Sequence, residues 1–211
     1  AICHKESFEM EPFIKVKGIA APMPAANIDT DVIMPKQFLK GIDRKGLDRG
    51  LFYDLRFQSN GDPDPSFILH KSPWTAASFM VVGPNFGCGS SREHAVWGLK
   101  QMGIRALIGT SFAGIFFDNC QRNGVLLIEL PEADLHYLGE TISEASNAEI
   151  EVDLYCQTIT LADGDRIDFR IDAMRRNSLL KGLDAIDTTL QRGEAIRQFE
   201  IAHFNRNPWL A

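Results

Sequence analysis

The sequence predicts an α/β domain, with parallel strands flanked by helices and a helical C-terminal tail. Three observations carry this. Short apolar runs alternate with helical patterns between Phe79 and Ile128, in the order strand, helix, strand, helix, strand, and strands joined by crossover helices pair in parallel. A glycine-rich turn, residues 83–89, links the first of these strands to the first helix. Beyond residue 171 the strand signals stop, and two helical patterns, 173–181 and 194–204, close the chain. Its 211 residues read as one domain, 1–211, with a core over 12–171 and a helical extension over 172–211, since a domain takes about 150 residues.

Phe13-Ile-Lys-Val-Lys-Gly18 alternates apolar and charged or small residues, as a half-buried strand does. Residues 20–27 hold Pro22 and Pro24 and read as a loop. Val32-Ile-Met34 is a short apolar stretch ending at Pro35. Residues 41–50, rich in glycine and both charges, read as a mobile loop or short helix, and 59–65 as the least structured stretch. Phe79-Met-Val-Val82 is a buried strand, and 91–102 a helix with Ala95, Leu99 and Met102 on one face. Ala106-Leu-Ile108 is a strand, 112–122 a helix ended by Asn123-Gly124, and Val125-Leu-Leu-Ile128 a third strand. Pro131 opens a helix reaching about Ala145. Residues 149–153 and 158–161 read as strands, and the turn Asp163-Gly-Asp165 leads into 166–171 to make a hairpin.

Composition narrows the function. Hydrophobic residues make up 45% and charged residues 24%, ordinary globular usage that excludes global disorder. No apolar run reaches the ~18 residues of a membrane span, and residues 1–11 lack the apolar core of a signal peptide. The net charge is −6, without the basic footprint of a nucleic-acid binder. The one basic cluster, Arg175-Arg176 with Lys181, lies beside Asp172 and Asp184 and reads as a solvated helix face. Cys3, Cys88, Cys120 and Cys156 form no C-x-x-C pair, which argues against a zinc or iron–sulfur site within the chain. The expectation is a cytoplasmic protein with reduced thiols.

The informative segment is Gly83-Pro-Asn-Phe-Gly87-Cys-Gly89-Ser90-Ser91-Arg92-Glu93-His94. A strand-to-helix junction of an open α/β sheet is where ligands bind. Arg92 stands where a dinucleotide fingerprint needs glycine, no Gly-Lys-Ser/Thr P-loop is present, and no serine has the hydrolase-elbow frame. What remains is physical: the segment has the groups of an anion site. The glycines allow close backbone approach, the helix start offers free N–H groups, and Arg92 offers a guanidinium suited to carboxylates. A serine hydroxyl among such donors can act as a base in alkoxide form. Ser90-Ser91-Arg92-Glu93 also fits a capping box, S-x-x-E, which needs no catalytic role. His94 reads as a helix-packing residue and Cys88 as a small packing residue.

The run Asn85-Phe-Gly-Cys-Gly-Ser-Ser-Arg-Glu-His-Ala95 resembles the signature of the aconitase superfamily's swivelling domain, and its Phe-Gly-Cys-Gly form resembles 3-isopropylmalate dehydratase small subunits. Three further blocks resemble that family: Asn27-Ile-Asp-Thr-Asp31 with Pro35-Lys-Gln-Phe-Leu-Lys40; Ser111-Phe-Ala-Gly-Ile-Phe116 with Asn119-Cys120 and Asn123-Gly124; and Arg175-Arg176 through Gly182-Leu-Asp184 with Thr189-Leu190. Together they cover the chain from about Gly18 onward.

The resemblance implies a swivelling β/β/α domain that closes over a [4Fe-4S] cluster held by a separate large subunit, with no metal bound by this chain. It implies a heterodimer or higher assembly in leucine biosynthesis. The activity implied is a hydro-lyase isomerising 2-isopropylmalate and 3-isopropylmalate through 2-isopropylmaleate, a small dicarboxylate chemistry, with the metal aiding departure of the hydroxyl. Position by position, Ser90 would be the base, Ser91 and Arg92 would bind substrate carboxylate and hold the alkoxide, and Asp31 would organise the site. Phe38 and Leu39, with Lys40 and Gly41, occupy the place where the family tunes substrate specificity, and Lys40 and Arg44 are candidate carboxylate or entrance contacts. Glu93 and His94 support the helix start. The alternatives are a related subunit acting on a methyl-substituted malate, of the citraconate or dimethylmaleate type, or a non-catalytic α/β binding module.

Overall fold

Seven strands hydrogen-bond into one sheet in a computed structural model that describes residues 10–39, 45–89 and 92–210. In chain order the elements are β1 (Lys15–Met23), α1 (Thr30–Ile33), α2 (Tyr53–Arg56), β2 (Ala77–Val82), α3 (Glu93–Gln101), β3 (Ala106–Gly109), α4 (Gly114–Arg122), β4 (Leu126–Glu129), α5 (Glu132–Ile142), β5 (Glu149–Asp153), β6 (Thr158–Thr160), β7 (Arg166–Asp168), α6 (Ala173–Lys181), α7 (Ala185–Leu190) and α8 (Gly193–Arg206). The strand order is β4-β3-β2-β1-β5-β6-β7. β1 is the seam. On one side β2, β3 and β4 run parallel to it; on the other, β5 runs antiparallel and continues into the β6–β7 hairpin. The α/β class is as the sequence predicts, with a mixed sheet.

Side-chain alternation splits the core into two layers. Phe79, Val81, Ala106, Ile108, Leu126 and Ile128 face α5 and α6, packing with Leu138, Ile142 and Leu179. Met80, Val82, Leu107 and Leu127 face α3 and α4, packing with Ala95, Leu99, Phe116 and Cys120. Strands covered on both faces need apolar residues at every position, which explains the unbroken runs 79–82 and 125–128.

Several expectations are corrected. Residues 20–27 are not all loop, because β1 passes through Pro22 to Met23. Ala20 donates its N–H toward the β5 side, to the Ala148 carbonyl at 2.8 Å. Pro22, two residues on, turns its nitrogen to the same side, where pairing with β5 has already stopped at Ile19. A strand tolerates proline where no donor is required. Thr30–Ile33 is a helical turn, capped by the Asp29 carboxylate, which accepts from Val32 N at 2.8 Å. The Arg175-Arg176 pair is not a solvated face. Arg175 lies over the Phe117 ring at 4.4 Å, and Arg176 donates to the carbonyls of Leu154 and Tyr155, so Arg175 ties α6 to α4 and Arg176 ties it to the turn after β5. The tail holds a third helix, α7, whose capping box joins Asp184 and Asp187. Of the 41–50 segment, 41–44 lie outside the described residues, and Leu47–Arg49 forms one 3-10 turn. Residues 1–9, including Cys3, also lie outside them.

The turn after β2 requires glycine at one point in particular. Gly87 has φ +78°, and a Cβ there would collide with the Phe116 ring. That ring packs edge-on against the buried Phe86 at 5.6 Å, so it has no room to withdraw. Gly87→Ala combines backbone strain with overpacking, and we expect it to lower unfolding free energy by about 2–4 kcal/mol. A urea titration checks this; a midpoint equal to wild type would contradict the packing argument.

Candidate functional site

Three loops leave the C-terminal ends of the parallel strands β1, β2 and β3, where open α/β sheets bind ligands. Backbone bonds join them. Asn27 N donates to Pro84 O at 2.9 Å, Gly87 N to Ile28 O at 2.8 Å, Thr30 N to Cys88 O at 2.9 Å, and Ala113 N to Phe86 O at 3.1 Å. Asn85 adds two more, from its N–H to Ser111 Oγ at 3.0 Å and from Nδ2 to Asn27 Oδ1 at 2.8 Å. Asn27 and Asn85 both have φ 56°, a left-handed conformation that asparagine tolerates better than most residues.

This stitching carries Asp31, on the first turn of α1, to Arg92, just before α3, and the two form an ion pair. The Arg92 side chain is 16% exposed and that of Asp31 41%, so the guanidinium is sheltered while the carboxylate faces outward. Lys36 Nζ approaches Asp31 Oδ2 at 3.6 Å. Arg92 occupies the N-cap of α3 and makes no side-chain capping bond. Glu93 is the first residue of α3, whereas an S-x-x-E capping box would make it the third. Glu93 instead accepts from Asn123 Nδ2 at 2.8 Å, and Asn123 Oδ1 accepts from Trp97 Nε1 at 2.9 Å. His94 packs its ring 4.8 Å from that of Trp97.

Phe38 and Leu39 lie on a 3-10 turn, Lys36–Leu39, that follows α1. The Phe38 ring packs 5.0 Å from Tyr53 and covers Gly50, and both residues pack against the α3–α4 layer. Ser90, Ser91, Lys40 and Arg44 lie outside the described residues. Sequence reasoning missed Lys36, although it sits in the quoted Pro35–Lys40 block, and missed the roles of Asn27, Asn85 and Asn123, which depend on partners 26 to 58 residues away. A groove of about 820 Å³ runs nearby, between Pro22, Val81 and Pro84 on the strand ends and Leu135, His136 and Glu140 on α5. The ion pair does not line it.

Among the described residues no group of three or more His, Cys, Asp or Glu could hold a metal ion. Cys88 is half-buried on the β2–α3 loop, Cys120 is buried in α4, and Cys156 is exposed after β5. Burial pushes the Cys120 thiol well up in pKa, away from the thiolate a metal would need. No helix among the described residues is long and apolar enough to cross a membrane.

Comparison with known proteins agrees with this architecture. A family model described as the aconitase C-terminal domain matches residues 10–133. The 3-isopropylmalate dehydratase small subunit 1 of Mannheimia succiniciproducens is 57% identical over 201 residues, covering 95% of this chain and 99% of that protein. The small subunit from Rhodospirillum rubrum is 51% identical over 201 residues, covering 95% and 97%. A crystal structure of 3-isopropylmalate dehydratase from Methanocaldococcus jannaschii superposes with a TM-score of 0.63 at 26% identity, over 89% of this chain and 99% of that one. With its mixed sheet, its flanking helices and relatives matched along nearly their whole length, the chain belongs to the family of 3-isopropylmalate dehydratase small subunits, built on the aconitase C-terminal domain.

Proposed function

We propose that this chain works with a large subunit as a hydro-lyase that interconverts 2-isopropylmalate and 3-isopropylmalate in the cytoplasm, through dehydration to 2-isopropylmaleate and rehydration. The observation that carries this reading is the Asp31–Arg92 pair at the mouth of the parallel strands, beside the start of α3. A half-exposed ion pair contributes only about 0–1 kcal/mol, so a substrate carboxylate can take Asp31's place on the guanidinium at small cost. The N–H groups of the helix start favour the same negative charge.

Within this reading Arg92 clamps one substrate carboxylate, with Ser91 beside it. Ser90, directly after Gly89, takes the proton from the carbon next to a carboxylate. As that C–H bond breaks, its electron pair forms the new double bond and hydroxide leaves the adjacent carbon; rehydration with the opposite regiochemistry gives the isomer. Asp31 holds Arg92 in place between turnovers, and Lys36 balances its charge. Phe38 and Leu39 shape the side where the isopropyl group rests, and Lys40 and Arg44 guard the entrance. The described residues do not fit a [4Fe-4S] cluster, so we assign that group to the large subunit and derive no step through it.

Reconstitution with the large subunit tests the assignments. Ser90→Ala should keep subunit association and lower kcat on the order of 10²–10⁴-fold; turnover within tenfold of wild type would reject Ser90 as the base. Arg92→Lys replaces a planar fork with a point charge, and kcat/KM should fall by roughly tenfold or more; unchanged kinetics would remove the clamp. The isolated chain, purified without oxygen, should carry no stoichiometric iron or sulfide, and finding both would move the cluster onto this chain.

A further inference from the structure

Arg92 occupies the cap position of α3, makes no side-chain capping bond and extends to Asp31 instead. The cap residue therefore gives the first turn no side-chain bond against fraying, yet this turn must hold the residue that carries the guanidinium. The anchor comes from the end of the neighbouring helix. Asn123 follows α4 as its C-cap. Its Nδ2 donates to Glu93 Oε1 at 2.8 Å and to the Asn119 carbonyl at 2.9 Å, and its Oδ1 accepts from Trp97 Nε1 at 2.9 Å. The orientation of this amide is unambiguous, since a carboxylate and a carbonyl only accept and an indole N–H only donates. Glu93 and Trp97 lie four apart, one turn of α3, so a single side chain grips the first turn at two heights.

We propose that Asn123 is a positioning residue for Arg92: by fixing Glu93, the first residue of α3, it sets the direction from which the guanidinium reaches Asp31 and the substrate carboxylate. The inference rests on the hydro-lyase reading for its kinetic consequence, but not for its structural one. Asn123 touches neither substrate nor reacting atoms and acts through its bonds to Glu93 and Trp97.

A polarity swap tests it. Asn123→Asp sets a carboxylate against both Glu93 and the Asn119 carbonyl with no proton to donate. Glu93→Gln in that background restores a donor–acceptor pair with its direction reversed. In the reconstituted complex, Asn123→Asp should lower kcat/KM on the order of ten- to a hundredfold, mainly through KM, and the double variant should recover to within about threefold of wild type. In the isolated full-length chain, the side-chain Nε–H signal of Arg92, assigned by its loss in Arg92→Lys, should shift or broaden in Asn123→Asp and return in the double variant. Should Asn123→Asp not fold, Glu93→Ala removes the same bond without opposing charges and should move the Arg92 signal likewise. An Arg92 signal unaffected by either variant overturns the proposal, as does a folded double variant that recovers thermal stability but not KM. Inactivity of the wild-type complex toward isopropylmalate would defeat the hydro-lyase reading, and the Arg92 signal would still decide the role of Asn123.

Discussion

Asp31 and Arg92 stand 61 residues apart in the chain, and the backbone bonds between the loops after β1 and β2 are what bring them together. Each such bond contributes about 0.5–1.5 kcal/mol net. Their larger effect is geometric: Ile28, Thr30, Gly87 and Cys88 form a short ladder beyond the strand ends, so the parallel register of β1 and β2 extends into the site. Gly87 is the point where this ladder depends on one residue type, because the chain there turns left-handed against a buried aromatic pair.

The balance of magnitudes explains why the site is built from supports rather than from a strong pair. An exposed carboxylate facing a sheltered guanidinium adds little stability, and its position comes from elsewhere. Asp29 caps α1, asparagines in left-handed conformation join the loops, and an amide from α4 steadies α3. These polar contacts cost little to form on rigid elements and leave the charged groups free to exchange partners. In a chain of net charge −6, an approaching anion meets general repulsion, against which Arg92 and Lys36 supply local positive charge.

Much of the fold was legible locally. Apolar runs buried on both faces, the β-α-β-α-β order and the hairpin turn at Asp163–Asp165 all depend on neighbours in sequence, and they fall where the pattern placed them. The errors share a different cause. Pro22 looked like a loop residue because the end of β5 pairing beside it is a tertiary fact. Arg175 and Arg176 looked solvated because Phe117 and the Leu154–Tyr155 carbonyls come from distant parts of the chain. Ser90-Ser91-Arg92-Glu93 matched a capping pattern, but the position of the first helical residue is set by packing, and four residues cannot report it.

By itself the sequence determined which residues stand out as candidates: a glycine turn, adjacent serines, an arginine, and an aspartate in a recognisable block. Composition and periodicity determined the class of the fold, since hydrophobic alternation is a local property of the chain. Only the tertiary structure decided that Asp31 reaches Arg92, that Lys36 joins them, and that Asn123 holds the start of α3. Those contacts require separate strands and helices to be docked before any of the partners come within hydrogen-bonding distance.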